Sequence, residues 1–402
     1  MRVTVKPSTA LGEILAPTSK SVAHRLLIAA ALSEDKSIIS GITKSDDVLA
    51  TVDCLRALGA SIDSDGDTFI VQGIDMRSTA AREVLVCRES GSTLRFIIPI
   101  AALSGSKVLL TGTEKLLSRP LSVYEKIFEE RELLLKKIDN VIVLDGPLPS
   151  GEYEIDGNVS SQFITGLLFA LPLTSGDSVI RIIPPFASKP YVDLTLDALK
   201  QFGVSAYFED ELTIKIPGGQ KYSGAVTTVE GDYSGAAFLE ALNLFGSSVN
   251  VLGLREDSKQ GDRAYRDFYK LLTEGAPEID IEGCPDLAPI LFTVAAANNG
   301  AYFTSTARLK IKESDRAVAM AEELKKFGAE IEINDDSVLV KRRELHAPTE
   351  VLFSHNDHRV VMSLAVLATK YGGEIDGAEA VNKSYPDFFK DIEKADIKII
   401  YD

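Results

Sequence analysis

The sequence predicts an α/β (α+β) fold in two domains, each built from three similar units. Three observations carry that prediction: an internal repeat, one nearly all-apolar helix in each copy, and β-like alternation after a second, amphipathic helix. With 402 residues, 45% hydrophobic and 25% charged, the chain can bury two sizeable cores.

The repeat is visible in "SKSVAHRLLIAAALSEDKSIISG", "SGSTLRFIIPIAALSG", "SSQFITGLLFALPLTSG", "DYSGAAFLEALNLFG", "DLAPILFTVAAANNG" and "NDHRVVMSLAVLATKYGG", which begin at positions 19, 90, 160, 232, 286 and 356. In each, a polar cluster opens an apolar helix and Gly follows at a position suited to a helix C-terminus. Such a helix must be buried on most sides, because an exposed one would leave a wide apolar stripe in water. The second helix and its strands are clearest in "VDCLRALGASIDSDGDTFIV", "LDALKQFGVSAYFEDELTIKI" and "MAEELKKFGAEIEINDDSVLV". The interval between units four and five is short, so the copies are not identical. The domain boundary is expected near "TVEGDYSG", with the N-terminal "MRVTVKP" returning to the second domain: 1–17 plus 232–402 on one side, 18–231 on the other, hinged near 17–19 and 230–232.

Composition removes several functions. A formal net charge of −16 and a pI near 4.9 argue against nucleic-acid or membrane partners, which call for a basic face. The longest apolar runs, such as Leu26 to Leu32, fall well short of the roughly 20 residues of a membrane span. "MRVTVKPSTALGEI" lacks an apolar signal core, so the chain reads as cytoplasmic. Cys54, Cys87 and Cys284 are far apart with no C-x-x-C, which predicts neither a disulfide framework nor a zinc site. His355 and His358 stand three apart without an evident third ligand, so no metal is expected, and His24 is expected to pack on its own helix.

Buried helices must point their N-termini somewhere, and here those ends carry the polar residues. An N-terminus offers unpaired N–H groups and partial positive charge, and so favours anions. Lys20, Ser21 and Arg25 open the first apolar helix, Gly91, Ser92 and Arg95 the second, Ser160, Ser161 and Gln162 the third, Asp286 the fifth, and Asp357, His358 and Arg359 the sixth. The amphipathic helices repeat the device at Arg119, at Ser188, at Lys312, Glu313 and Arg316, and at Lys383. One such cation is ordinarily a solvated charge, and Ser or Asp there an ordinary N-cap. Eight at corresponding ends (Lys20, Arg25, Arg95, Arg119, Lys312, Arg316, Arg359, Lys383) in an acidic protein point to a shared cleft. A phosphate carries about −1.5 to −2 at neutral pH, so two phosphorylated carboxylates would match that load. Asp286 and Glu313 would repel such ligands and suggest proton transfer at a bound hydroxyl or carbon; the alternatives are an N-cap and a salt-bridge partner.

"SKSVAHR", "ESGSTLR", "SRPL", "DGNVSSQF", "SKPYVD", "VEGDYSG", "KIKESDR", "NDHR" and "NKSYPDFF", in that order, resemble the 5-enolpyruvylshikimate-3-phosphate synthases (3-phosphoshikimate 1-carboxyvinyltransferases) nearly end to end. The resemblance implies a two-domain inside-out α/β barrel of six βαβαββ repeats, with the active site in the cleft. It implies transfer of the enolpyruvyl group of phosphoenolpyruvate to the 5-hydroxyl of shikimate 3-phosphate, by a monomer without metal or organic cofactor. By the same resemblance, Lys20, Ser21, Arg25, Ser160, Ser161, Gln162, Ser188, Asp286 and Lys312 bind shikimate 3-phosphate. Lys20, Gly91, Arg119, Gln162, Arg316, His358, Arg359 and Lys383 bind phosphoenolpyruvate, and Asp286, Glu313, Lys20 and Lys383 take the catalytic roles. Glyphosate is expected to compete at the phosphoenolpyruvate site, where Gly91 leaves it room.

Four departures stand out. Glu89 replaces a usual Asn before Ser90 and Gly91, Phe96 replaces a frequent Pro, Arg308 lies where some members have a substrate-binding Asn, and 129–149 reads as short and irregular. A UDP-N-acetylglucosamine enolpyruvyl transferase would carry Lys-Asn at Lys20-Ser21 and a reactive Cys near Arg119, and the chain has neither. A passive binder of phosphorylated metabolites has no use for Asp286 and Glu313, and net charge opposes an RNA-end-processing relative.

Overall fold

The structure is a computed structural model that describes residues 1–79 and 84–402. The chain divides into two compact units, one of Met1–Ser19 with Gly231–Asp402 and one of Lys20–Glu230. Each has its own apolar core. Thr18 and Gly231, beside the two crossings, form an antiparallel bridge, and the Asp232 amide donates to the Pro17 carbonyl at 2.7 Å. Among the described residues no helix is long and apolar enough to cross a membrane.

One sheet shows the repeat in full. Strands Glu152–Asp156 and Ser178–Ile183 run parallel, joined by helix Ser161–Ala170. Helix Lys189–Gln201 then leads to the hairpin Tyr207–Asp210 and Thr213–Ile216, whose second strand lies antiparallel to Ser178–Ile183. Alternation sets the buried face: Tyr153 and Ile155, Ile180 and Ile182, Ile214 and Ile216 all point inward.

The same strand order recurs in four further sheets, with the missing strand borrowed from far along the chain in two of them. Val226–Thr228 supplies the parallel first strand beside Lys36–Ser40. Arg2–Val5 lies between Gly373–Asp376 and Ile399–Tyr401, antiparallel to both. The sixth sheet is cut to two parallel strands, Leu11–Leu15 and Ser248–Leu252, with no hairpin. That loss accounts for the short interval between units four and five.

Two expectations need correction. The segment read as irregular, 129–149, contains a regular hairpin of Leu135–Ile138 and Val141–Leu144; its charged outer face hid the alternation. Arg119 and Lys383 do not open amphipathic helices. Arg119 lies in the link between Glu114–Leu117 and Ser122–Glu130, and Lys383 ends the 3₁₀ turn Ala378–Lys383, ahead of Phe388–Lys394.

The apolar helices are buried as their composition requires, Ala288–Pro289–Ile290 through Ala296 on every side and His358 through Thr369 likewise. Local signals set their ends. Ser45 caps Asp46–Leu58 by accepting the Val48 amide, Asp46 and Asp47 complement its first turn and Arg56 its last, and Gly59 terminates it at φ 115°. Helices Gly91–Ala101 and Ser161–Ala170 come together at Gly166. A Cβ there would lie 2.5 Å from the Arg95 carbonyl oxygen and inside contact distance of Tyr124 Oη. The Tyr124 hydroxyl stitches the pair, within hydrogen-bond reach of the Arg95 carbonyl (2.7 Å) and the Phe163 carbonyl (3.0 Å). Gly166 therefore sets how closely Arg95 and Gln162 approach.

Alanine gains about 1 kcal/mol over glycine in a helix interior, whereas overpacking a tight core costs about 1–3 kcal/mol. Because the obstructing atoms include backbone, Gly166→Ala is expected to lower stability in urea unfolding by about 1–3 kcal/mol. A raised midpoint would show that the two helices do not meet so closely.

Candidate active site

In the Lys20–Glu230 unit the predicted cations gather at helix N-termini and find mostly neutral partners. Lys20 Nζ donates to Asp47 Oδ2 at 2.7 Å. Arg25, one turn on, is buried, and its guanidinium donates to Thr195 Oγ1 (2.9 Å), the Ser21 carbonyl (2.7 Å) and the Tyr191 carbonyl (2.9 Å), with its Cζ over the Phe96 ring, 5.3 Å from the centroid. Burial lowers its pKa to about 10, which leaves it charged at neutral pH. The residue substituted at Phe96 therefore props a proposed substrate ligand.

Ser90 caps Gly91–Ala101 and Ser160 caps Ser161–Ala170. Between these helices Arg95 Nη1 donates to Gln162 Oε1 (2.7 Å) and Gln162 Nε2 to Ser92 Oγ (2.9 Å), so the amide's orientation follows from its two partners. Arg119 lies across the first turn: a Cβ on Gly91 would sit 2.8 Å from its Nη1. Arg119 Nε and Nη2 are buried without a hydrogen-bond partner among the described residues, an arrangement that suits an anionic ligand. Ser188, buried at the head of Lys189–Gln201, is held at φ 61°.

In the other unit the cations meet carboxylates. Asp286 does not cap a helix; it sits within the 3₁₀ turn Pro285–Leu287, ahead of Ala288–Ala297. Its Oδ1 accepts from Lys312 Nζ (3.1 Å) and Arg316 Nη1 (2.7 Å), and its Oδ2 from Arg359 Nη2 (2.9 Å). Burial opposes its charge, but Arg359, Lys312 and Arg316 outweigh burial and hold its pKa well below the usual carboxylate range. Arg316, 1% exposed, also donates from Nε to Asp357 Oδ2 (2.9 Å) and from Nη2 to Glu313 Oε2 (2.7 Å).

Asp357, fully buried, caps His358–Tyr371 by accepting the Arg359 amide at 2.9 Å and accepts from Ser314 Oγ at 3.1 Å. Arg359 Nη1 also donates to Ser234 Oγ. Burial lowers the Lys312 pKa, Asp286 resists, and Arg316 and Arg308 lower it further. Lys383 Nζ donates to the Asn356 carbonyl at 2.6 Å. His358 is buried beside Asp357, with Nδ1 3.9 Å from Oδ1, whereas His355 turns away to Glu323 Oε1 at 2.9 Å.

Each unit thus collects its own predicted residues. Sequence reasoning missed Asp47 under Lys20, Thr195 and Tyr191 around Arg25 and Ser234 beside Arg359, and it placed Asp357 at a helix mouth without its bond to Arg316. Asp47 reads in sequence as a helix first-turn acid and Asp357 as a cap, and each is one; the second partner lies across the fold.

A sequence model of the family described as EPSP synthase (3-phosphoshikimate 1-carboxyvinyltransferase) matches residues 5–392. A 3-phosphoshikimate 1-carboxyvinyltransferase of Clostridium novyi (strain NT) is 41% identical over 423 residues, covering 98% of this chain and 97% of that one. One of Clostridioides difficile (strain 630) is 38% identical over 421 residues, covering 97% and 96%. The solved EPSP synthase of Acinetobacter baumannii shares the fold, with a TM-score of 0.81 at 22% identity over 100% of both chains. With cationic helix mouths, a cation-bound Asp286 and relatives matching along almost its whole length, this chain belongs to the EPSP synthase family.

Proposed function

We propose that the chain transfers the enolpyruvyl group of phosphoenolpyruvate to the 5-hydroxyl of shikimate 3-phosphate and releases phosphate, acting as a cytoplasmic monomer. The observation that carries the reading is Asp286, a carboxylate kept ionised among Lys312, Arg316 and Arg359. A pure anion trap has no use for it, and a proton acceptor at a bound hydroxyl does. The relatives' names supply 3-phosphoshikimate and the carboxyvinyl group, and the resemblance supplies phosphoenolpyruvate as its source.

The family resemblance assigns the roles, and the chemistry of each group suits them. Lys20, Ser21, Arg25, Ser160, Ser161, Gln162, Ser188 and Lys312 hold shikimate 3-phosphate. Gly91, Arg119, Gln162, Arg316, His358, Arg359 and Lys383, with Lys20 shared, hold phosphoenolpyruvate, the arginines gripping its carboxylate and phosphate bidentately. Asp286 takes the hydroxyl proton, while Glu313, Lys20 and Lys383 handle protons at the methylene and the leaving phosphate.

A carboxylate whose pKa is held so low is a weak base. Substrate anions that engage Lys312, Arg316 and Arg359 would draw those cations off Asp286 and raise its basicity as the hydroxyl arrives. The resting ion pairs thus keep the base inactive until both ligands are bound.

Phosphate release should require both substrates together; release from phosphoenolpyruvate alone, or acceptance of a UDP-sugar, would sink the assignment. Asp286→Asn should cut turnover by about 100- to 10,000-fold, the usual cost of losing a general base. Titration calorimetry should find its shikimate 3-phosphate affinity within about tenfold of the parent, and near-normal turnover would reduce Asp286 to an electrostatic partner. For Gly91→Ala, the added Cβ must displace Arg119 Nη1. We expect glyphosate inhibition to weaken by more than the rise in KM for phosphoenolpyruvate, with an unchanged inhibition constant as the contrary result.

A further inference from the structure

Within the Lys20–Glu230 unit runs a line of hydrogen bonds that none of these roles uses. His24 lies on the helix Lys20–Ala31, which also carries Arg25, and its Nδ1 is 2.7 Å from Thr51 Oγ1. Thr51, on Asp46–Leu58, is 2.7 Å from Thr93 Oγ1, on Gly91–Ala101. Thr93 Oγ1 donates to Ser90 Oγ at 2.8 Å, with the Asp47 carbonyl a weaker acceptor at 3.4 Å. Ser90 Oγ also accepts the Thr93 amide at 3.2 Å. All four side chains are buried.

The line has a direction. His24 Nε2 is buried with no partner among the described residues, and a bare acceptor there costs less than an orphaned N–H, so the proton belongs on Nδ1 and is donated to Thr51. A hydroxyl has one hydrogen, so Thr51, accepting from His24, donates on to Thr93, and Thr93 to Ser90 or the Asp47 carbonyl. Burial, then Lys20 and Arg25, hold the imidazole pKa well below its ordinary value, so the ring stays neutral. Its outer face packs edge-on against Phe96.

We propose that His24 is a positioning residue, whose Nδ1–H, relayed through Thr51 and Thr93, fixes Ser90 and with it the Gly91 backbone relative to Lys20 and Arg25. Apolar contacts alone would hold the three helices together without fixing how far one slides along another. Buried hydroxyls are costly unless paired, and so enforce one register. The consequence for activity rests on the reading of Gly91 and Arg119 as phosphoenolpyruvate ligands.

Thr51→Val keeps the shape and removes the relay. In the unliganded protein, amide exchange from Ser90 to Thr93 should quicken by about tenfold or more, as local opening becomes easier. In the assay, KM for phosphoenolpyruvate should rise about fivefold, with kcat and the calorimetric Kd of shikimate 3-phosphate within about twofold, a loss on the scale of one hydrogen bond. His24→Leu should repeat this pattern, and His24→Asn, whose amide can donate from a similar place, should restore it. Unchanged exchange at Ser90 to Thr93, an equal rise in both substrates' constants, or His24→Asn no better than His24→Leu would overturn the proposal. If Thr51→Val does not fold, the two His24 variants make the same comparison. Exchange reports on the relay whatever the substrates are, so quickened exchange in a protein whose parent makes no phosphate would count against the assigned reaction alone.

Discussion

A guanidinium with 1% of its surface exposed must have its charge and its donors met inside the protein, and Arg316 meets three carboxylates: Asp286, Glu313 and Asp357. Much of its unit follows from that requirement. Asp357 can serve because it caps His358–Tyr371, which puts Arg359 in the same turn. Arg359 in turn reaches Asp286 from the other side. Three segments distant in sequence are thus fixed by the need to neutralise one buried charge.

The two units solve the problem of buried cations differently. Around Arg316 the cations Lys312, Arg316 and Arg359 face the carboxylates Asp286, Glu313 and Asp357, and Lys383 donates to a carbonyl. Around Gly91, Lys20 meets a carboxylate, while Arg25 and Arg95 donate to hydroxyl, amide and carbonyl oxygens. Dipolar partners satisfy geometry without cancelling charge. The Gly91 cluster therefore joins its arginines to dipoles, and the Arg316 cluster is a preformed set of ion pairs. The first arrangement suits capture, the second suits the exchange of partners that moving a proton requires.

Much of this was legible in the sequence because its signals are local. A Ser or Asp before an apolar run marks a helix mouth, and "KSVAHR" or "NDHR" places cations there whatever the rest of the chain does. What stayed hidden depends on pairs that only the fold brings together. Cys54 and Cys87, 33 residues apart, have their sulfurs at 3.9 Å. Nothing local in the sequence pairs Thr51 with Thr93 or marks Gly166 as the contact between two helices. The hairpin after Glu130 was missed because Lys136 and Lys137 break the alternation on an exposed strand, where nothing requires it.

The strands that complete each unit have a temporal consequence. In the Lys20–Glu230 unit the sheet begun by Lys36–Ser40 is finished by Val226–Thr228, so everything that unit needs is continuous in the chain. The other unit places Val3 opposite Tyr401, and its interior strand Arg2–Val5 precedes the whole Lys20–Glu230 unit in the chain. On a ribosome that strand must wait, unpaired, while the whole of the other unit is synthesised and can fold. Sheets of such long-range pairing form slowly, and an unpaired strand is open to pairing with the wrong partner. Arg2 and Lys6, at either end of Val3–Thr4–Val5, give that strand charge during the wait. The order of synthesis thus divides the chain into an early unit that can fold by itself and a late one whose first piece is held in reserve.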